Sequence, residues 1–192
     1  MGTPTSCASR CSPRTPRPGP EPVAEPARVL LVGDGLRLEP LRTDHAAAMV
    51  PVLADHALYD VIGGVPPTVE ELTERYARQL RGPEDPDEEW HTWVVRDGED
   101  GPLVGFVQAT LTGAGSCAEL AWVVGTPWQG RGVARRAAAL VLDEVRRRGV
   151  ATVVAHVAPG HRPSERVAAA LGLAPTPVEV DGEVRWELRL RS

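Results

Sequence analysis

The chain contains no lysine and no asparagine; every one of its 21 basic residues is arginine. The missing lysine excludes the Walker phosphate loop, lysine Schiff bases and the Ser-x-x-Lys nucleophile, all of which need an ammonium that titrates or pairs with phosphate. Both absences are read as GC-rich coding bias, so they remove chemistries without indicating one. Cysteine is scarce: Cys7 and Cys11 lie in a Pro-rich stretch and Cys117 stands alone. That is neither a disulfide framework nor a zinc-ligand set, so no metal is expected. No histidine stands near Cys117 in sequence to activate it. The chain has no apolar run long enough to span a bilayer, and its N-terminus lacks the apolar stretch of a secretion signal. The expected compartment is therefore cytoplasmic, with no membrane partner. A net charge of -5 argues against the broad basic footprint that nucleic acid requires.

What is present suits one domain. The 192 residues are 42% hydrophobic, enough to build a sizeable core. Residues 1–26 are dominated by Pro, Ser, Thr and Arg. Such a segment buries too little apolar surface to offset its ordering entropy, so it is predicted to be a disordered tail ahead of a domain over residues 27–192.

Within that domain the alternation Leu36-Arg37-Leu38-Glu39-Pro40-Leu41 predicts a strand with one buried face. Thr43-Asp44 is expected to cap a helix through Ala46, Met49, Val50 and Leu53. Pro66-Pro67-Thr68 opens a second helix, with Val69, Leu72, Tyr76 and Leu80 on one face and Gly82-Pro83 as its stop. Residues 84–89 read as an acidic solvated loop. Strands over residues 92–96 and 103–111 form a hairpin, followed by a strand over 118–124. The longest helix spans 132–148, with an apolar stripe of Val133, Ala137, Leu140, Val141 and Val145. A near-continuous apolar run over 152–157 predicts a strand buried on both faces. Ser164 is expected to cap a short helix, and strands over 178–180 and 184–190 close the chain around Asp181-Gly182. The pattern is α/β: a mixed, mostly antiparallel sheet flanked by helices.

One junction carries the most chemistry. A strand ends at Val124, Gly125-Thr126-Pro127-Trp128 turns, and Gln129-Gly130-Arg131-Gly132-Val133-Ala134 opens the long helix. A helix N-terminus presents unpaired N–H groups and partial positive charge. Gly130, Gly132 and Ala134 leave room for phosphate oxygens to approach, and Arg131 adds charge. A plain Gly-rich turn is the simpler alternative. A dinucleotide site is disfavoured, because the turn follows a late strand and lacks Gly-x-Gly-x-x-Gly.

Together with Glu119-Leu120-Ala121-Trp122-Val123-Val124 before it and the block from His161-Arg162-Pro163-Ser164 to Leu171-Gly172-Leu173 after it, this junction resembles the GCN5-related N-acetyltransferase (GNAT) superfamily. The resemblance is to the branch of the ribosomal-protein alanine acetyltransferases. The family's Gln/Arg-x-x-Gly-x-Gly/Ala signature is matched by Gln129, Gly132 and Ala134. The resemblance implies splayed central strands with acetyl-CoA, the acyl-donor substrate, between them. It implies that backbone at Trp122, Val123 and Val124 meets the pantetheine arm, and that N–H groups from Gly130 through Arg131, Gly132, Val133 and Ala134 to Arg135 hold the pyrophosphate. His161 replaces the family's cofactor-contacting Asn, and Ser164 and Arg166 stand close by on the donor side.

Acyl transfer to an amine requires a base, donors for the oxyanion and a proton for the thiolate. By resemblance, the donors are backbone N–H groups around Val123 and Val124. Glu119 is the first candidate base and His156 the second; a structural carboxylate and a hydrogen-bonded imidazole are the corresponding inert readings. The family's tyrosine acid would fall at Ala168, which leaves Ser164 as a relay or an unaided thiolate. Tyr59 and Asp60 are expected in the acceptor wall with Trp90; His91 is read as an acceptor-side or solvated strand-edge residue, and Trp93 as acceptor-side or core. The expected function is transfer of acetyl to a small-molecule or peptide amine by a monomer or homodimer. The alternatives are a catalytically silent acyl-CoA-binding module and a nucleotide-dependent enzyme using the same cradle.

Overall fold

The computed structural model describes residues 29–190, so the predicted tail at 1–26 lies outside the described residues. Two Asp-Gly turns bracket the sheet. Asp34 and Gly35 both take positive φ, 50° and 72°, and fold β1 (Leu31–Gly33) onto β2 (Leu36–Pro40). Asp181 and Gly182, at 52° and 83°, do the same at the other end. Positive φ at both central residues matches the twist of the flanking strands, which is why Asp-Gly favours tight hairpins. β1 was not anticipated from sequence.

After β2 come α1 (His45–Met49), α2 (Tyr59–Ile62) and α3 (Val69–Arg81), with single 3-10 turns at Pro51–Leu53 and His56–Leu58. The expected cap at Thr43-Asp44 does not form: the Asp44 carboxylate accepts from Arg42 Nε at 2.9 Å instead. Thr68 does cap α3, in a reciprocal pair with Glu71. Leu72 and Tyr76 are buried from α3, while Val69 remains exposed.

β3 (Glu89–Asp97), β4 (Leu103–Thr112) and β5 (Cys117–Val124) form an antiparallel meander. β3 begins at Glu89, so the acidic loop is shorter than its composition suggests. α4 (Val133–Arg147) then leads to β6 (Thr152–Val157), α5 (Arg162–Ala170), β7 (Ala174–Val180) and β8 (Glu183–Arg189). Strand order is β1-β2-β3-β4-β5-β6-β8-β7, antiparallel except for the β5–β6 pair. β6 is buried except at Thr152 and His156, which are half-buried. The expected Ser164 cap is also corrected. His161 occupies the N-cap without a side-chain cap bond, α5 starts at Arg162, and Ser164 lies inside the first turn.

Period-2 alternation sorts side chains to two cores. One face packs Val107, Ala109, Ala118 and Leu120 against Val133, Ala137, Val141 and Val145 of α4 and Ala168 of α5. The other packs Val94 and Leu103 against Met49, Val52, Leu72 and Tyr76. Each fully buried Val or Leu contributes about 1.5–3 kcal/mol. Two buried acids are neutralised. Glu39 accepts from Arg96 Nε at 2.7 Å beside Arg37 and His45. Glu144 is 3% exposed and pairs with Arg147 and Arg148, the arginines at the end of α4. No helix among the described residues is long and apolar enough to cross a membrane.

Candidate active site

β5 and β6 run parallel but pair only at Cys117–Thr152, Ala118–Val153 and Glu119–Val154. Beyond Glu119 they part, and the edge of β5 that faced β6 has no ladder partner. On its other edge, β5 stays paired with β4 as far as Val124–Gly105. Gly105 permits that closeness, because a methyl there would overlap the Val123 carbonyl oxygen and touch Val124 Cα. Gly125 N donates to Val104 O at 2.9 Å. Backbone groups alternate along an antiparallel ladder, so Val123 aims its N–H at β4, while Val124 and Trp122 aim theirs at the open edge.

The turn after β5 is held by its own side chain. Gln129 Nε2 donates to Val124 O at 3.0 Å, and Gln129 N closes the 3-10 turn on Thr126 O. Gly130 and Gly132 follow with φ of 73° and 72°, the left-handed region that favours glycine. Gly132 is the N-cap of α4, and its carbonyl accepts from Arg136 N. Among the described residues, no acceptor meets the backbone N–H groups of residues 130–135. A Cβ added at Gly130 or Gly132 would touch nothing within 4 Å. An uncapped helix start with open space before it fits an anionic diphosphate.

A cavity of about 460 Å³ lies against this helix start and the parted strands. Trp122, Val123 and Val124 form its β5 wall. Gln129, Gly130, Gly132, Val133, Ala134 and Arg135 form the cradle side, and His161, Ser164 and Arg166 face it from α5. Arg131 is exposed and lies outside the lining. Neither Arg135 nor Arg166 makes an ion pair among the described residues, so both charges remain available to an anion. The size and largely apolar walls suit a substantial organic ligand.

At the rung where β5 and β6 separate, Glu119 Oε1 lies 3.1 Å from His156 Nδ1. Glu119 is 47% exposed and His156 18%. A carboxylate only accepts, so the imidazole donates through Nδ1 and turns Nε2 away from Glu119. That Nε2 is buried without a partner.

The sequence profile of the acetyltransferase (GNAT) domain matches residues 35–174. The chain belongs to the GNAT acetyltransferase family. Its activity is therefore that of an N-acetyltransferase with acetyl-CoA as donor. Similar solved structures support the fold. An acetyltransferase of the GNAT family from Bacillus anthracis aligns at TM-score 0.70 with 16% identity, covering 84% of this chain and 98% of its own. RimL, a ribosomal L7/L12 alpha-N-protein acetyltransferase in complex with coenzyme A, aligns at 0.71 with 14% identity and coverage of 84% and 98%. The aminoglycoside acetyltransferase AAC(6')-Ib in complex with coenzyme A aligns at 0.65 with 13% identity, covering 80% and 94%. Comparison with the curated proteins gives no match.

In this GNAT domain the acceptor-side expectations scatter. Ala57 and Leu58 line the cavity, while Tyr59 turns its hydroxyl to Leu53 O at 2.9 Å and Asp60 is exposed outside the lining. Trp90 is half-buried on β3, with Nε1 donating to Glu88 Oε1 at 2.6 Å. Trp93 is core. The solvated reading of His91 is overturned: it is 5% exposed, stacked on Trp93 and bonded to Glu89 Oε2 at 2.9 Å. Sequence reasoning missed Trp128, Pro163 and Val167 in the lining. Val167 lies four residues after Pro163 and three after Ser164, helical spacings that the sequence displays.

Proposed function

We propose that this protein acetylates a primary amine that reaches the thioester from the uncovered side of the β5–β6 opening, with Glu119 as the base. The observation that carries this reading is the row of uncapped amides at residues 130–135 with the cavity beside them. Glu119 stands outside the cavity lining, three residues before Trp122 on the same strand, on the last rung before β5 and β6 part. Glu119 is the more exposed partner and meets the amine. His156 donates to it from behind and fixes its orientation. A free alkyl ammonium titrates near about 10, so a carboxylate held at the opening lowers the cost of presenting the neutral amine. The Val124 N–H on the open edge, with Trp122 behind it, stabilises the oxyanion. The pantetheine arm runs along that edge, and the diphosphate rests on the cradle with Arg131, Arg135 and Arg166 as nearby charge.

The acceptor class is a small amine or a peptide N-terminus, the range spanned by the aminoglycoside and ribosomal-protein enzymes named above. Ala57 and Leu58, which line the cavity, stand on its acceptor side, and the cytosol is its compartment. A thiol-release screen with acetyl-CoA against polyamines, aminoglycosides and short peptides with free N-termini tests the proposal. Amine-dependent release supports it. Tight acetyl-CoA binding with no release by any amine returns the silent binding module instead.

A further inference from the structure

The departing thiolate needs a proton, and the tyrosines are engaged elsewhere. The Tyr59 hydroxyl donates to Leu53 O, and Tyr76 lies in the core, where burial pushes its ionisation up to about 12. Position 168 holds an alanine sealed in the other core. Among the cavity-lining residues, Arg135 and Arg166 do not release protons. His161 and Ser164 remain, and they touch: His161 Nδ1 lies 2.9 Å from Ser164 Oγ. The backbone fixes this contact. His161 N donates to Ala158 O, and His161 O accepts from Glu165 N, which sets the imidazole at the mouth of α5 one turn from the hydroxyl.

We propose that His161 and Ser164 form a proton relay to the leaving group, with His161 as the proton source acting through the serine hydroxyl. This rests on the transferase reading above. The amine lone pair forms the N–C bond, and the ammonium nitrogen loses two protons in all, through Glu119 to water. The C–S electron pair stays on sulfur. Sulfur takes the Oγ proton of Ser164, Oγ recovers one from Nδ1 of the His161 imidazolium, and the neutral ring is reprotonated from water. Net, one proton enters the thiol and one is released. An asparagine in place of His161 keeps a hydrogen bond to Ser164 but has no proton to give. The charges around the ring are Arg135 from α4 and Arg166 from α5, both facing the cavity, and the Arg162–Glu165 pair on α5. From β6, Val153 and Ala155 belong to the same core as Ala168 of α5.

The test compares wild type, His161→Asn, Ser164→Ala and the double variant in rate against pH, with acetyl-CoA affinity measured by calorimetry. The relay predicts that wild-type kcat falls as the imidazolium is lost on raising pH. His161→Asn should lose that limb and at least about ten-fold in kcat at mildly acidic pH. Acetyl-CoA Kd should stay within about three-fold, and the double variant should be no slower than Ser164→Ala alone. A wild-type rate and profile in His161→Asn overturns the relay while leaving the transferase intact. So does a rate loss that only follows weaker donor binding with the pH limb preserved. A wild type that binds acetyl-CoA but acetylates no amine overturns the transferase reading and the relay with it.

Discussion

Glu119, on the last rung that joins β5 to β6, meets His156, which lies two residues past that rung on β6, at 3.1 Å across 37 residues of sequence. Glu119→Gln keeps an acceptor for the imidazole and removes the ability to take a proton. Turnover should fall about 10²-fold or more. Because Glu119 does not line the cavity, the acetyl-CoA Kd should not move. Thiol release and calorimetry on the same preparation check both halves; an undiminished rate across neutral pH dismisses Glu119 as the base.

Gly132→Val addresses the cradle. The left-handed φ of 72° costs a branched residue about 1–2 kcal/mol of stability, read as a lower melting temperature without ligand. Its side chain would stand in the space before the free amides, so acetyl-CoA should bind more than about ten-fold weaker, roughly 1.4 kcal/mol. An unchanged Kd would mean that the diphosphate lies elsewhere.

Gly105→Ala acts one strand away. The added methyl collides with the Val123 carbonyl, so the end of β5 must shift. Stability should drop by about 1–3 kcal/mol. Turnover should drop more than donor affinity, because the open-edge amide of Val124 is displaced while the helix start is not. Steady-state kinetics beside calorimetry separates the two.

Acid sensitivity follows from three buried groups. Burial lowers His45 and His91 below the ordinary histidine value, and the hydrogen bond from Arg96 lowers Glu39. A depressed histidine binds its proton more readily when unfolded, so its contribution is complete above about pH 6.5 and is lost as pH falls through the folded value. Glu39 has the same sign: its contribution is present above about pH 4.3 and lost on further acidification. Melting temperature should therefore decline in two steps below neutrality. His91→Gln should flatten the upper one, and an unaltered upper step would assign it to other groups.

Much of the site was readable because it is local. Gln129 to Ala134 form one turn and one helix start, and the residues themselves specify that geometry. β1 escaped notice although Asp34-Gly35 carries the same turn signal as Asp181-Gly182; three residues are too few to display alternation. The depth of His91 was invisible because period-2 patterning gives the face but not what covers it, and here the cover is Arg148 from the end of α4. The Glu119–His156 and His91–Arg148 contacts arise from strand order and helix docking, which no short window encodes.

The severed β5–β6 ladder also links folding to metabolite supply. A molecule that lies along the open edge and on the free amides binds only the folded chain, so mass action makes acetyl-CoA a stabiliser. At a hundred-fold excess over Kd it adds about 2.7 kcal/mol. When acetyl-CoA runs low, this domain should lose resistance to heat and proteolysis before it loses its fold, which would tie its abundance to the donor it consumes.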